Sequence, residues 1–362
     1  MKAVIAAGGR GTRLRPITWT LNKHLIPLAN EPMLFNAFKK VAAVGITEVA
    51  VNVNPGEVEM MQGVCGDGSR WGICLTYLEQ EGGAVGVGQI LYSAREWIAG
   101  DDVLLYFGDN VVLGSLQKLI DKFYNEQLDA SFAFVEVPDP ERSGVPEFNA
   151  QGELVRIVEK PKVPPSRYAQ TGLYIYKMPK YLEAFANIKP SARGEFEIAD
   201  INSYIIAHGR AGYQVMVGWW KDTGTPQALL EGNQLLLNEM TLEEATVDAS
   251  LSKLKDTRIE GRVKIGKDCL FGEGVLIRGP SVIGDHVKLN HAFIGPHTTL
   301  GNGVTVSDAG VVHSIVMEGA TIHTPDTIVD SIIGSHAIVR NANDGHPRGK
   351  LMCVGENRQL EI

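Results

Sequence analysis

The chain has 362 residues, 44% hydrophobic and 21% charged, which suits about two domains with ordinary buried cores. A formal net charge of −8 argues against sequence-independent nucleic-acid binding, which needs a broad basic surface, but allows a local cationic pocket. The first apolar run stops at Gly8-Gly9, too soon for a signal sequence, and no stretch reaches the ~20 apolar residues of a membrane span. The cysteines Cys65, Cys74, Cys269 and Cys353 are scattered without a CxxC pair, which suggests neither a zinc site nor a disulfide framework. A cytoplasmic protein with no nucleic-acid or membrane partner is expected.

Apolar or β-branched runs at residues 2–7, 48–54, 102–107 and 130–137 are bounded by Gly, Asp, Asn or Pro and read as strands. Amphipathic stretches at 33–44, 87–98 and 115–125 lie between them and read as helices. This alternation predicts an α/β fold, a mostly parallel sheet with helices on both faces. Ligands of such sheets bind beyond the carboxyl ends of the strands. Here those ends are Ala7-Gly8-Gly9 and Phe107-Gly108-Asp109-Asn110.

Residues 240–249 read as a connector, and from about residue 250 the texture changes. An apolar residue recurs every six positions at Ile259, Ile265, Phe271, Ile277, Ile283 and Leu289. After a five-residue step the series resumes at Ile294, Leu300, Val306 and Val312, then at Val316, Ile322 and Ile328. A six-residue period predicts a parallel β-helix of about five coils, with equivalent apolar residues stacked from coil to coil. Glycine follows several of them, as in Ile265-Gly266 and Leu300-Gly301, and is expected at corners that need positive φ.

The loop after the first strand is Gly8-Gly9-Arg10-Gly11-Thr12-Arg13-Leu14. Its glycines let backbone N–H groups converge on an anion, and a following helix would add its positive end. It is not a Walker A loop, and Leu14 takes the third glycine position of a dinucleotide fingerprint. Glu31, about 20 residues on, keeps a dehydrogenase as an alternative. Arg10, Arg13, Arg15 and Lys23 supply the charge that a triphosphate needs. Asp109 and Asp222 each follow an apolar approach, and two carboxylates beside nucleotide phosphates suit Mg²⁺.

The run Gly8-Gly9-Arg10-Gly11-Thr12-Arg13-Leu14-Arg15-Pro16, followed by Asn22-Lys23-His24 and Glu31-Pro32-Met33, resembles the signature of sugar-1-phosphate nucleotidyltransferases. Gly108-Asp109-Asn110, Glu159-Lys160-Pro161 and Thr171-Gly172-Leu173-Tyr174 continue the resemblance in order. Two further blocks are Arg193-Gly194-Glu195-Phe196-Glu197-Ile198-Ala199-Asp200 and Trp220-Lys221-Asp222-Thr223-Gly224-Thr225. Within the family the chain is most similar to long-form glucose-1-phosphate thymidylyltransferases, which carry a left-handed β-helix. The resemblance implies a Rossmann-like catalytic domain over 1–238, a connector over 239–250, a left-handed β-helix over 251–345 and a tail over 346–362.

It also implies roles. Ala7, Gly8, Gly9, Gly11, Thr12 and Arg13 would bind the nucleotide phosphates, and Asp109 and Asp222 would hold Mg²⁺. Gln80 and Gly86 would read the base, at a spacing one residue longer than the family's. Gly144, Glu159, Lys160, Thr171, Gly172 and Arg193 would bind the sugar phosphate, with Pro161 keeping the segment extended. Arg13, Lys23 and Lys160 would act in catalysis, joining a nucleoside triphosphate to a sugar 1-phosphate with release of pyrophosphate. A homo-oligomer is expected, with dTTP and glucose 1-phosphate as the preferred pair and UTP possible. The alternatives are a UDP-sugar pyrophosphorylase, a β-helix with its own acyltransferase activity served by a histidine, and a non-catalytic nucleotide-sugar-binding paralogue.

Overall fold

The structure is a computed structural model that describes residues 1–80, 86–192, 194–247, 256–341, 353–354, 356 and 359–361. Arg193, part of the expected connector and most of the expected tail lie outside these residues. The described chain divides into two compact units, one of residues 1–9 and 34–222, the other of residues 10–33 and 223–362.

The first unit is built on seven strands: β1 (Lys2–Ala6), β2 (Glu48–Val53), β3 (Cys74–Glu79), β4 (Asp102–Phe107), β5 (Ala130–Glu136), β6 (Tyr168–Lys177) and β7 (Ala211–Val215). Their spatial order is β7-β5-β6-β4-β1-β2-β3. All run parallel except β6, which is antiparallel to both β4 and β5. The sheet is therefore Rossmann-like and mostly parallel. Its order reverses at β1, which lies between β4 and β2, and this is where a crevice forms outside the carboxyl ends.

Burial explains the composition of these strands. The middle eight residues of β6 are buried, and β4 and β5 are nearly as enclosed, so apolar runs replace alternation. The buried tyrosines keep their hydroxyls paired: Tyr106 donates to the carbonyl of Asn110, Tyr181 to that of Gly88, and Tyr176 to the side chain of Asn202. Burial raises the pKa of all three, so each remains a donor. Helices form at Leu34–Ala43 and Gln117–Asn125 as expected, but the stretch 87–98 is broken. It consists of a 3₁₀ turn at Val87–Gln89 and two short helices, Ile90–Ser93 and Arg95–Ile98, that meet at Ala94.

The second unit contains a left-handed parallel β-helix of three sheets, with five, six and six strands. Its registers show three apolar columns. One is Ile259, Ile277, Ile294, Val311 and Ile328; another is Ile265, Ile283, Leu300, Val316 and Ile333; the third runs through Phe271, Leu289, Val306, Ile322 and Val339. Each fully buried Ile, Leu or Val here contributes about 1.5–3 kcal/mol of transfer free energy. Val312 was the expected inward residue, but Val311 fills the column and is fully buried while Val312 is only half-buried. The coils shorten along the chain, so the strict six-residue count slips by one there.

The corner glycines also differ from expectation. Gly266, Gly272, Gly284, Gly295 and Gly301 are absent from the positive-φ residues. They are glycines because neighbouring coils approach too closely: a Cβ on Gly301 would lie 2.5 Å from the backbone of Glu318, and one on Gly266 2.6 Å from that of Gly284. Positive φ falls instead on Asp268, His286, Gly303, Gly319 and His336, and on His291, His297, Asp308, His313 and Asp330. Asp, Asn and His are the non-glycine residues that best tolerate this region. Five of the six β-helix histidines thus have a conformational reason to be where they are.

Residues 10–33 are tied to the β-helix through side-chain amides. Asn30 donates from Nδ2 to the carbonyl of Leu300 at 2.6 Å. Asn233, fully buried on the helix Pro226–Glu239, accepts from the Ala29 amide at 2.8 Å and donates to the His297 carbonyl at 3.2 Å. Replacing Asn233 with Leu leaves two buried backbone groups unpaired, each costing about 1–3 kcal/mol. Asn233→Leu should therefore lower the unfolding midpoint by at least several degrees in a thermal melt. An unchanged midpoint would show that this bridge is dispensable.

Candidate active site

The first unit places a carboxylate pair beyond the end of β4. Phe107 is the last residue of β4, and Gly108 turns out of it with its amide on the Ala6 carbonyl at 2.9 Å. The next residues, Asn110–Val112, pair antiparallel with Trp220–Asp222, and this register sets Asp222 opposite Asn110. Asp222 is thereby next to the chain neighbour of Asp109, although the two aspartates lie far apart in sequence. Asp109 is half-buried and Asp222 exposed. Two hard carboxylate donors at adjacent positions, with room for water on one side, fit an ion such as Mg²⁺ that takes few protein ligands.

Asn110 fixes this arrangement and was not singled out from the sequence beyond its motif. Its Oδ1 accepts from Trp220 Nε1 at 2.6 Å and from the Gly172 amide at 3.1 Å. Its Nδ2 donates to Asp109 Oδ1 at 2.9 Å. Trp220 is therefore a half-buried anchor, whereas its neighbour Trp219 is 64% exposed. The signal was available: a buried Asn directly after a metal-binding aspartate must have partners for its amide.

The glycines of this unit have distinct reasons. A Cβ on Gly8 would come within 3.2 Å of both Gln80 Oε1 and Asn54 Oδ1, so the loop after β1 lies against the end of β3. Ala7 is fully buried, its amide on the Asn52 carbonyl, and Gln80 is 4% exposed. Gly86 has a φ of 103°, and its Cβ would fall 2.5 Å from the Phe196 carbonyl oxygen. This brings the Gly86 turn together with the Gly194-Glu195-Phe196 block, while Glu81 and Arg193 lie outside the described residues. Gly172 would place a Cβ 2.5 Å from that of Phe107, so its lack of a side chain is demanded by the sheet itself. Thr171 is buried with its hydroxyl donating to the Ala133 carbonyl at 2.9 Å, which leaves only its backbone for a ligand.

An antiparallel hairpin, Gly144–Phe148 with Leu154–Glu159, sets Gly144 opposite Glu159. Lys160 follows with its Nζ 2.9 Å from Glu159 Oε1, both side chains being largely exposed. The segment is not extended at this point as expected. Lys160 has a φ of 45°, in the left-handed region, and its amide bonds the Ser143 carbonyl at 3.0 Å. Pro161 disfavours right-handed helical geometry for the residue before it, and here the chain turns left-handed instead. For a lysine this costs about 1–2 kcal/mol, the kind of strain that clusters at functional positions.

The second unit holds the signature loop. Gly11 has a φ of 56°, and its Cβ would meet Thr18 Cγ2 at 2.9 Å and Lys23 Cβ at 3.0 Å. Thr18 donates to the Gly11 carbonyl at 2.7 Å, and Asn22 caps the turn that begins at Lys23. The loop thus folds back so that Gly11 touches Lys23, with Arg10, Thr12, Arg13 and Arg15 exposed. No long helix follows. Thr12–Leu14 is a single three-residue 3₁₀ turn, so the helix-end contribution expected for anion binding is missing. Backbone amides and arginines remain to supply the positive charge. His24 is buried, its Nδ1 2.8 Å from Asn22 Oδ1.

Among the described residues no helix is long and apolar enough to cross a membrane. The sequence profile of the Nucleotidyl transferase family matches residues 2–239. A low-salt glycan biosynthesis nucleotidyltransferase, Agl11 of Haloferax volcanii, is 34% identical over the full length of both chains. A glucose-1-phosphate thymidylyltransferase of Streptomyces griseus is 36% identical over 100% of this chain and 99% of its own. A Bacillus anthracis crystal structure, provisionally named a glucose-1-phosphate thymidylyltransferase and solved with sucrose, superposes with a TM-score of 0.61 at 36% identity. That superposition covers 64% of this chain and 94% of the other. With the carboxylate pair at the sheet's ligand edge and the arginine-rich glycine loop both in place, this chain belongs to the nucleotidyl transferase family.

Proposed function

We propose that the chain transfers a thymidylyl group from dTTP to glucose 1-phosphate, giving dTDP-glucose and pyrophosphate. The observation that carries this reading is the register that puts Asp222 beside Asp109 at the carboxyl end of the parallel sheet. Full-length similarity to the Streptomyces griseus thymidylyltransferase selects the substrates. An oxygen of the sugar phosphate attacks the α-phosphorus of the triphosphate in line, the bond to the bridging oxygen breaks, and pyrophosphate departs. Reactions of this kind are catalysed mainly by positioning and charge neutralisation.

The amides around Gly8, Gly9, Gly11 and Thr12 cradle the triphosphate, and Arg13 neutralises the departing pyrophosphate. Lys23 and Lys160 hold the attacking phosphate against the repulsion between two anions, and Arg193 adds a further cation. Glu159 accepts hydrogen bonds from sugar hydroxyls, and Gln80 with the Gly86 turn reads the base. Asp109 and Asp222 hold Mg²⁺, which when bound neutralises charge on the reacting phosphates. A cytoplasmic homo-oligomer assembled through the β-helix completes the proposal, and light scattering that returns a monomer removes that part of it.

Pyrophosphate release measured over four nucleoside triphosphates and several sugar 1-phosphates tests the substrates. dTTP with glucose 1-phosphate should be the best pair and UTP second, since one methyl group discriminates by about 10–200-fold at most. A purine triphosphate that outperforms both would overturn the assignment. Asp222→Asn keeps the shape but removes the charge, and should lower kcat by roughly 10²–10³ while moving the Mg²⁺ dependence to higher concentration. Lys160→Ala should instead raise the KM for the sugar phosphate and leave the metal titration in place. A folded Asp222→Asn enzyme with normal turnover would exclude the metal role.

A further inference from the structure

We propose that Gln170 is a specificity-determining residue of the sugar site, its side-chain amide hydrogen-bonding a hydroxyl of the sugar 1-phosphate beside Glu159 and Gly144. The proposal rests on the sugar-phosphate reading of that hairpin and names a group that the motifs did not.

Gln170 lies on β6 directly before Thr171-Gly172 and is 7% exposed. Its Nε2 is buried without a hydrogen-bond partner. Its Oε1 is turned towards the hairpin: a Cβ on Gly144 would lie 2.9 Å from Gln170 Oε1 and 3.4 Å from Glu159 Oε2. Ile157 Cγ2 comes within 3.2 Å of the same point. The amide, the carboxylate and an apolar methyl therefore surround one position that residue 144 leaves empty by being glycine.

An unpaired buried amide in the interior of a sheet is costly, and Leu or Val would pack there without that cost. The orientation of the amide does not remove the problem. Rotating it by half a turn exchanges the two ends and buries the oxygen unpaired instead. A polar residue that breaks the packing rule without a structural partner points to a ligand. The chemistry of the ligand follows from its surroundings. Glu159 can only accept, whereas the amide both donates and accepts, a set that suits neighbouring hydroxyls on a pyranose ring. The nearby Lys160 ammonium suits the phosphate of the same molecule.

The test compares the wild-type protein with Gln170→Leu, which keeps the volume and removes the amide, and with Gln170→Met as a more flexible second variant. Binding of glucose 1-phosphate and its 2-, 3-, 4- and 6-deoxy analogues is measured by calorimetry with an α,β-methylene analogue of dTTP present. We expect glucose 1-phosphate to bind about 5–30-fold more weakly to both variants. One deoxy analogue, the one lacking the hydroxyl that Gln170 contacts, should bind wild type and variants nearly alike. The thermal midpoint should hold or rise, because an unpaired buried amide has been removed. Unchanged affinity for glucose 1-phosphate, or an equal loss for every analogue, overturns the proposal. So does a fall in the midpoint of both variants, which would reveal a structural partner for the amide. Turnover of the wild-type protein is read separately: sugar-phosphate binding without any nucleotide-sugar product would overturn the transferase reading while leaving this inference to stand or fall on the binding data.

Discussion

The side chain of Asn110 bonds in three directions at once, to the indole of Trp220, the amide of Gly172 and the carboxylate of Asp109. Its carbonyl is held from below by the buried hydroxyl of Tyr106. Three separate stretches of chain, following β4, within β6 and near the end of the first unit, therefore meet at one amide. The paired strands at 110–112 and 220–222 are too short to be stable alone, since a two-stranded ribbon is marginal even at greater length. The carboxylate pair depends on that amide for its geometry. At 4% exposure Asn110 is protected from competing water, which gives each of its bonds more weight than it would have at the surface.

Much of the fold was legible because periodicity reports burial. β1, β2, β4 and β5 lie within a residue of their expected ends, since each is an apolar run bounded by turn residues. β6 was present in the sequence only as the Thr171-Gly172-Leu173-Tyr174 motif, because its polar Gln170 and Thr171 interrupt the apolar run. The break at Ala94 could not be seen because a single turn-like backbone position leaves no mark on the helical periodicity. In the β-helix the period identified the architecture but misplaced one inward residue at Val311, where a shortened coil shifts the count. The glycine corners were read as a demand for left-handed backbone when the actual demand is lack of space between coils. The same sequence pattern serves either cause, and only coil-to-coil distance tells them apart.

The site shows a comparable division. The residue types at Asp109, Asp222 and Lys160 were readable because charge beside an apolar approach is informative by itself. Their orientation was not readable, since it rests on neutral groups: the Asn110 amide, the Ser143 carbonyl that accepts from the Lys160 amide, and the packing of Phe107 against Gly172. Function here is spread over a few charged groups and a larger number of uncharged ones that aim them. The histidines of the β-helix carry the reverse lesson. They suggested chemistry, yet five of them occupy left-handed corners, where conformation alone accounts for the residue type.

The tether of residues 29 and 30 reaches the β-helix at the strands containing Val282 and Leu300 and at the His297 corner, in its early coils. In a solenoid each coil touches only its immediate neighbours, so such a structure is close to one-dimensional. Coils beyond Val316 can then be gained or lost in whole units without displacing the surface on which the glycine-loop segment rests. A partial unit has no such freedom, because it would shift every left-handed corner out of its column. Length variation among proteins built this way should accordingly be quantised, and concentrated towards the carboxyl end of the repeat.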